Sequence, residues 1–166
     1  LEMKGFEADD IIGTVAKKAS IESFTTFMVT PDKDYAQLVD DNTFMLKPAR
    51  GGKEEELLNK NDILEQWQIN DIHQVIDILG LAGDSVDNIP GIPGIGPKTA
   101  QKLIFQYGSI ENLIFNVNEL KGKQKENVEN HKENALLSKK LATIDCNVPI
   151  KFEVKELVQG KIDNKK

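Results

Sequence analysis

Five of the seven residues from Gly91 to Pro97, Gly91-Ile92-Pro93-Gly94-Ile95-Gly96-Pro97, are glycine or proline, so the chain has to turn there. Pro97 lacks an amide donor and suits the first position of a helix, and the residues from Pro97 to Tyr107 carry a helical signal. The loop superficially resembles a nucleotide-binding loop. A Walker A loop, however, needs glycine directly before Lys-Ser/Thr, and here Pro97 separates Gly96 from Lys98; no predicted strand precedes the loop either. The segment reads instead as a helix-hairpin-helix, with Gly94 and Gly96 permitting a tight turn and close backbone approach. The N–H groups opening the next helix then face a phosphate, with Lys98, Thr99 and Lys102 on the same helix start. Such contacts hold a nucleic-acid backbone without reading bases. An ordinary turn between helices is the alternative.

The rest of the chain is organised as α/β followed by α. Ile11, Ile12, Val15, Ala16 and Ala19 predict a helix over 8–19, with Asp9 and Asp10 in its first turn. Phe24 to Thr30 is a β-branched and aromatic run stopped by Pro31, read as a buried strand. Residues 42–47 predict a second strand, 50–53 a turn and 55–58 a short partner strand. Helices are expected over 62–67, 72–81, 97–107, 110–115 and 125–141, and the Lys-rich tail after Gly160 is expected to fray. Strands give way to helices near Gly83, which places a boundary between a domain of residues 1–82 and a helical module of residues 83–166.

Seven carboxylates fall in three clusters, Glu7-Ala8-Asp9-Asp10, Asp32-Lys33-Asp34 and Asp84-Ser85-Val86-Asp87. Carboxylates brought together raise one another's pKa, and a cation offsets that cost. Oxygen-only donors favour magnesium or manganese. Each cluster also has a plainer reading. Asp9 and Asp10 complement the dipole of the helix they open, Asp32 and Asp34 suit a solvated turn, and Asp84 can cap a turn. Against this, Asp32 and Asp34 follow the carboxyl end of a predicted strand, where open α/β sheets place ligands. Asp84 and Asp87 share a face if they lie in a helical turn. Three acidic pairs, each at the end of an apolar element, are far less expected by accident than one.

The net charge of −6 argues against general nucleic-acid binding. Seven of the 27 acidic residues are the proposed ligands, and two divalent ions would bring the total to about −2. Local basic groups, Lys98 and Lys102 with Lys121, Lys123 and Lys125, then carry phosphate contacts. The single Cys146 excludes a disulfide framework or a cysteine-based zinc site and fits a reducing interior. No apolar run approaches a membrane span and no signal peptide opens the sequence, so a cytoplasmic address is expected. His73 and His131 fall away from the acids and read as structural, and Trp67, Phe105 and Tyr107 read as core.

Together, Gly5-Phe6-Glu7-Ala8-Asp9-Asp10, Thr30-Pro31-Asp32-Lys33-Asp34, Gly83 to Gly91 and Gly94 to Ala100 resemble, in order and spacing, the 5′-3′ exonuclease domain of the bacterial DNA polymerase I family. More broadly they resemble the flap endonucleases. The resemblance implies the C-terminal part of a PIN-like α/β domain followed by a SAM-like helix-hairpin-helix module. It implies two-metal hydrolysis of DNA phosphodiesters, at 5′ flaps and primers, in replication and repair. Glu7 and Asp9 would serve mainly the first ion, Asp32, Asp34 and Asp87 the second, with Asp10 and Asp84 assisting; a potassium ion would sit at the hairpin. In the family an early strand with a catalytic Asp, a second Asp and a basic helical arch come first, and a polymerase domain belongs to the parent protein. The resemblance thus implies a segment of a longer chain, whose partners are duplex or 5′-flap DNA, the N-terminal nuclease portion and that polymerase domain. A noncatalytic module binding the duplex backbone is the second reading.

Overall fold

Helix α1 (Ala8–Ile21) forms where the sequence period predicts, with Ile11, Ala16 and Ala19 on its buried side and Asp9 and Asp10 in the first turn. The computed structural model describes residues 1–52, 54–153 and 160. After α1 come β1 (Thr26–Val29), a 3₁₀ segment (Lys33–Leu38), β2 (Thr43–Lys47) and β3 (Glu56–Leu58). Among the described residues five α-helices follow, α2 (Lys60–Trp67), α3 (Gln74–Ala82), α4 (Pro97–Tyr107), α5 (Ile110–Phe115) and α6 (Gly122–Ala142), with a short 3₁₀ turn (Val117–Glu119) before the last.

β1 and β2 run parallel, Thr26 opposite Thr43 and Val29 opposite Leu46, with the 3₁₀ segment in the crossover. β2 and β3 run antiparallel, Met45 opposite Leu58. Of the turn expected between them, Lys53 lies outside the described residues. β1 is shorter than the expected 24–30 and is not buried throughout. Met28 points into the core, whereas Phe27 and Val29 are 53% and 66% exposed. Alternate side chains leave opposite faces of a strand, and here only one face is packed. The 3₁₀ segment escapes sequence periodicity because six residues are too few to register a period.

The starts of α2 and α6 differ from those expected. Asn59 accepts the N–H groups of Asn61 and Asp62 at 2.8 and 3.2 Å while Asp62 accepts that of Asn59 at 2.8 Å, so α2 begins two residues before the expected Asp62. α6 begins at Gly122 rather than Lys125 and kinks at His131 (φ −123°, ψ 20°), whose Nδ1 lies 3.0 Å from the Asn127 carbonyl. Phe105, expected in the core, is 62% exposed because Leu103 and Ile104 take the inner face of α4. Trp67 and Tyr107 pack partly buried against the core.

One apolar cluster runs from Ala16, Met28 and Met45 through Val75 and Leu81 to Ile104 and Ala135, joining the sheet to the helices. Among the described residues one charged side chain is buried, Asp77 of α3, 4% exposed. Its Oδ1 accepts the Ile110 N–H at 3.0 Å and lies 2.6 Å from Lys139 Nζ, which also reaches Glu111 at 2.9 Å. Burial pushes the Asp77 carboxyl above its ordinary pKa, against its bonds to Ile110 and Lys139. After α6 the chain returns along α1. Thr14 Oγ1 donates to the Asp145 carbonyl and accepts the Val148 N–H at 3.1 Å, and Lys18 Nζ donates to the Phe152 carbonyl at 2.7 Å. The tail expected to fray lies, apart from Gly160, outside the described residues. Among the described residues, no helix is long and apolar enough to cross a membrane.

Candidate functional site

Six of the seven candidate carboxylates line one cleft of about 120 Å³: Glu7, Asp9 and Asp10 at the start of α1, Asp32 and Asp34 at the start of the 3₁₀ segment, and Asp87 from the loop after α3. The end of α6 and the residues after it, Leu141 to Ile144, form the opposite wall. Each acid sits at an element terminus for a local reason. Asp10 accepts the Glu7 N–H at 3.2 Å, half of a capping box on α1, and its other oxygen accepts the Asp145 N–H at 2.9 Å. Asp32 accepts the Asp34 N–H at 3.0 Å and so opens the 3₁₀ segment. Asp9 accepts the Tyr35 hydroxyl at 2.7 Å.

Asp84 and Asp87 do not share a helical face. Residues 84–89 close a tight loop in which Asp84 and Ile89 exchange backbone hydrogen bonds of 2.9 and 2.7 Å. Asp84 accepts the Val86 N–H at 2.8 Å, the turn-capping role, and its Oδ2 meets Lys33 Nζ at 2.5 Å. Asp84 thus stands beside the cleft wall, and Asp87 lines it. Lys33 also lies 3.3 Å from Asp34 Oδ1, an ion-pair distance without hydrogen-bond alignment, so that buried oxygen has no hydrogen-bond partner.

The electrostatics follow from these contacts. Burial raises the Asp34 carboxyl above its ordinary pKa, and neighbouring Asp32 adds to the rise while Lys33 opposes it. The Lys33 hydrogen bond holds the Asp84 carboxyl below the usual range. Partial burial works against the Lys33 charge, but the Asp84 hydrogen bond and Asp34 outweigh it and raise its pKa. Burial, then Asp9, push the Tyr35 hydroxyl up. Among the described residues, no three histidine, cysteine or acidic side chains converge closely enough to grip one ion as they stand.

The hairpin between α3 and α4 is pinned to α6. Gly91 N–H donates to the buried Ser138 Oγ at 2.9 Å, Asn127 Nδ2 donates to the Pro93 carbonyl at 2.8 Å, and Ile92 and Ile95 insert into the core. Gly94 has φ +79°, as a glycine turn requires. Gly96 does not: its backbone is extended (φ −87°, ψ 177°) and a Cβ there meets no atom within 4 Å. No side chain caps α4, and Gly96, Pro97, Lys98 and Lys102 are exposed, with Thr99 half-buried.

Three further residues contact the cleft acids without lining the cleft. Lys33 and Tyr35 flank Asp34 and carry no pattern of their own. Gln37 Nε2 donates to the Asp34 and Ala142 carbonyls, both at 2.9 Å, and its Oε1 accepts the Ile144 N–H at 3.0 Å. It fastens the acidic turn to the end of α6, a link between residues more than a hundred apart that no local signal announces.

With this arrangement in place, comparison with known proteins is informative. Residues 1–68 match the family model for the 5′-3′ exonuclease N-terminal resolvase-like domain, and residues 71–165 that for the 5′-3′ exonuclease C-terminal SAM fold. A DNA polymerase I of Bacillus subtilis (strain 168) is 43% identical over 157 residues, 94% of this chain and 18% of that protein. The chain therefore spans about a fifth of the length of such relatives. A T5 5′-exonuclease with divalent metal ions (zinc) bound superposes with a TM-score of 0.75 at 24% identity, covering 87% of this chain and 52% of that one. A bacteriophage T5 flap endonuclease in a pseudo-enzyme–product complex with DNA and metal ions does so at 0.73 and 23%, covering 88% and 52%. The two structures share the fold. Both halves of the chain match in order, and it belongs to the 5′-3′ exonuclease family.

Proposed function

We propose that this chain is the metal-binding and duplex-gripping part of a structure-specific 5′-3′ exonuclease or flap endonuclease, acting in DNA replication and repair within a DNA polymerase I-type protein. One observation carries the reading: three acidic segments, separated by up to 80 residues, meet at a single cleft joined through Ile89 to the glycine hairpin. Residues 1–82 supply five of the cleft acids, Glu7, Asp9, Asp10, Asp32 and Asp34, while residues 83–166 supply Asp87 and hold the DNA, with α3 at their seam. Partners are duplex or 5′-flap DNA, the N-terminal nuclease portion and a polymerase domain. The half-buried Cys146, its thiol pushed up by burial, suits a cytoplasmic address.

The cleft suits a hard divalent cation, magnesium or manganese. Its donors are oxygens, and Asp34 Oδ1 is buried without a hydrogen-bond partner. Glu7 and Asp9 would hold one ion and Asp32, Asp34 and Asp87 a second. When bound, such ions supply the charge that in-line phosphodiester hydrolysis requires. Around them Tyr35 orients Asp9 through its hydroxyl, and Asp10, with both oxygens engaged by backbone N–H groups, fixes the end of α1. Potassium at the hairpin rests on family resemblance.

Titration of the chain with manganese tests the metal reading. One site stronger than any other is expected, weakened at least tenfold in the Asp32→Asn/Asp34→Asn double variant, by the scale of ligand-shell losses. Unchanged affinity would remove the assignment. A magnesium-dependent flap-cleavage assay, on this chain beside a version extended at its N-terminus, then separates nuclease from noncatalytic backbone binding.

The hairpin makes a separate prediction. Lys98→Ala should weaken duplex binding equally for unrelated sequences and lower the salt slope by about one. Gly96→Val should fold normally, since the position is extended and open, yet weaken binding by crowding the approach to the start of α4. Fluorescence anisotropy across a salt series reads both, and parental binding by the two variants would exclude the hairpin as the backbone contact.

A further inference from the structure

Among the described residues, Lys33 is the cation paired with the candidate carboxylates. Its Nζ lies 3.3 Å from Asp34 Oδ1 and 2.5 Å from Asp84 Oδ2, tying the 3₁₀ segment to a loop 51 residues away. We infer that Lys33 is a built-in counter-cation of the cleft, held there by Asp34 and Asp84 in the metal-free protein and displaced from Asp34 when a divalent ion binds. The inference rests on the metal reading proposed above and concerns how that site is regulated.

Three features support it. First, carboxylates from three segments crowd one small cleft, and without a positive charge they repel. Lysine, a compact charge on a flexible stem, meets that need without demanding fork geometry. Secondly, the Lys33–Asp34 contact is a charge contact only; Asp34 Oδ1 has no aligned hydrogen bond to lose and can exchange one cation for another. Thirdly, the Lys33 side chain is 52% exposed, so it has room to leave. Asp84, beside the cleft rather than lining it, keeps Lys33 close after the exchange. Asp84 then acts as a positioning residue for Lys33 rather than as a direct ligand.

A lysine of this kind has two opposed effects. It stabilises the metal-free protein, and it weakens the ion by competing for Asp34 and by repelling a second cation at a few ångströms. A merely structural lysine would have the first effect alone, and its loss would loosen the site. The sign of the change in metal affinity therefore decides the matter.

The experiment uses the 166-residue chain with Lys33→Met and, as a polar variant of similar reach, Lys33→Gln. Calorimetric titration with manganese chloride is paired with thermal unfolding in EDTA. Both variants should bind manganese about fivefold more tightly, the upper range for a partly exposed charge pair. Both should unfold ~3 °C lower in EDTA, and the difference should close at saturating manganese. The affinity gain should shrink in high salt. Equal or weaker manganese binding by both folded variants, with the parent binding normally, would overturn the role of Lys33 and leave the metal reading standing. A parent chain that binds no manganese would overturn both.

Discussion

Gly91→Ala is expected to lower stability by roughly 4 kcal/mol, on the order of 10 °C in Tm, adding the left-handed backbone cost to that of overpacking. Gly91 has φ +59°, and an added Cβ would lie 2.5 Å from the Gly83 nitrogen and 2.7 Å from the Ala82 carbonyl carbon. Those atoms are the end of α3, and they cannot withdraw without opening the 2.9 Å bond from the Ile92 N–H to the Leu81 carbonyl. The same shift would break the bond from the Gly91 N–H to Ser138, which is buried and costly to leave unpaired. Gly51→Ala is the control, with φ +61° and nothing within 4 Å, where only the backbone term of about 1 kcal/mol applies. Calorimetry on the two variants tests the claim, and a Gly91→Ala loss no larger than that of Gly51→Ala would refute it. Manganese affinity should fall with stability in Gly91→Ala, because the loop it anchors carries Asp87 into the cleft.

Lys139→Met is expected to cost about 3–5 kcal/mol, the range for removing one partner of a buried pair. Asp77 would keep its charge in the core with the Ile110 N–H as its remaining direct partner. Its carboxyl already stands above the ordinary pKa through burial, and losing the cation raises it further. A carboxyl whose folded pKa is raised destabilises the fold when ionised, so the variant's stability should recover as pH falls through that raised value. The double variant Asp77→Asn/Lys139→Met should recover most of the loss and show no such pH dependence. Urea unfolding between pH 5 and 8 measures both. A single variant that is no more stable at pH 5 than at pH 8 would show that Asp77 is not the stranded charge.

Legibility in the sequence tracked the range of the interactions concerned. α4 and α5 begin and end as expected because their signals are local: Pro97 at the first helical position, Gly108 after Tyr107, and Ser109 accepting the Asn112 N–H at 3.2 Å. α2 starts two residues before the apolar period indicates because Asn59 and Asp62 form their capping box ahead of the residues that carry the period. The composition of β1 shows that the strand is apolar, not that one of its faces is left without packing. Gly96 looked like a conformational glycine, but its neighbours Gly94 and Pro97 make the turn, and Gly96 is extended.

By itself the sequence determined where the chain turns, which segments are helical and which carboxylates stand at their ends, since these depend on residue chemistry and spacings of a few positions. Tertiary structure alone decided that Asp10 would bond to residue 145, that Gln37 would join the acidic turn to α6, and that Lys33 would reach Asp84 rather than solvent. It also decided between the two readings of Asp84, closing a loop that Asp84 caps rather than a helical turn shared with Asp87. The physical reason is that periodicity and capping act through neighbours along the chain. Which distant polar groups meet is settled only when a single core closes and each buried donor must find an acceptor.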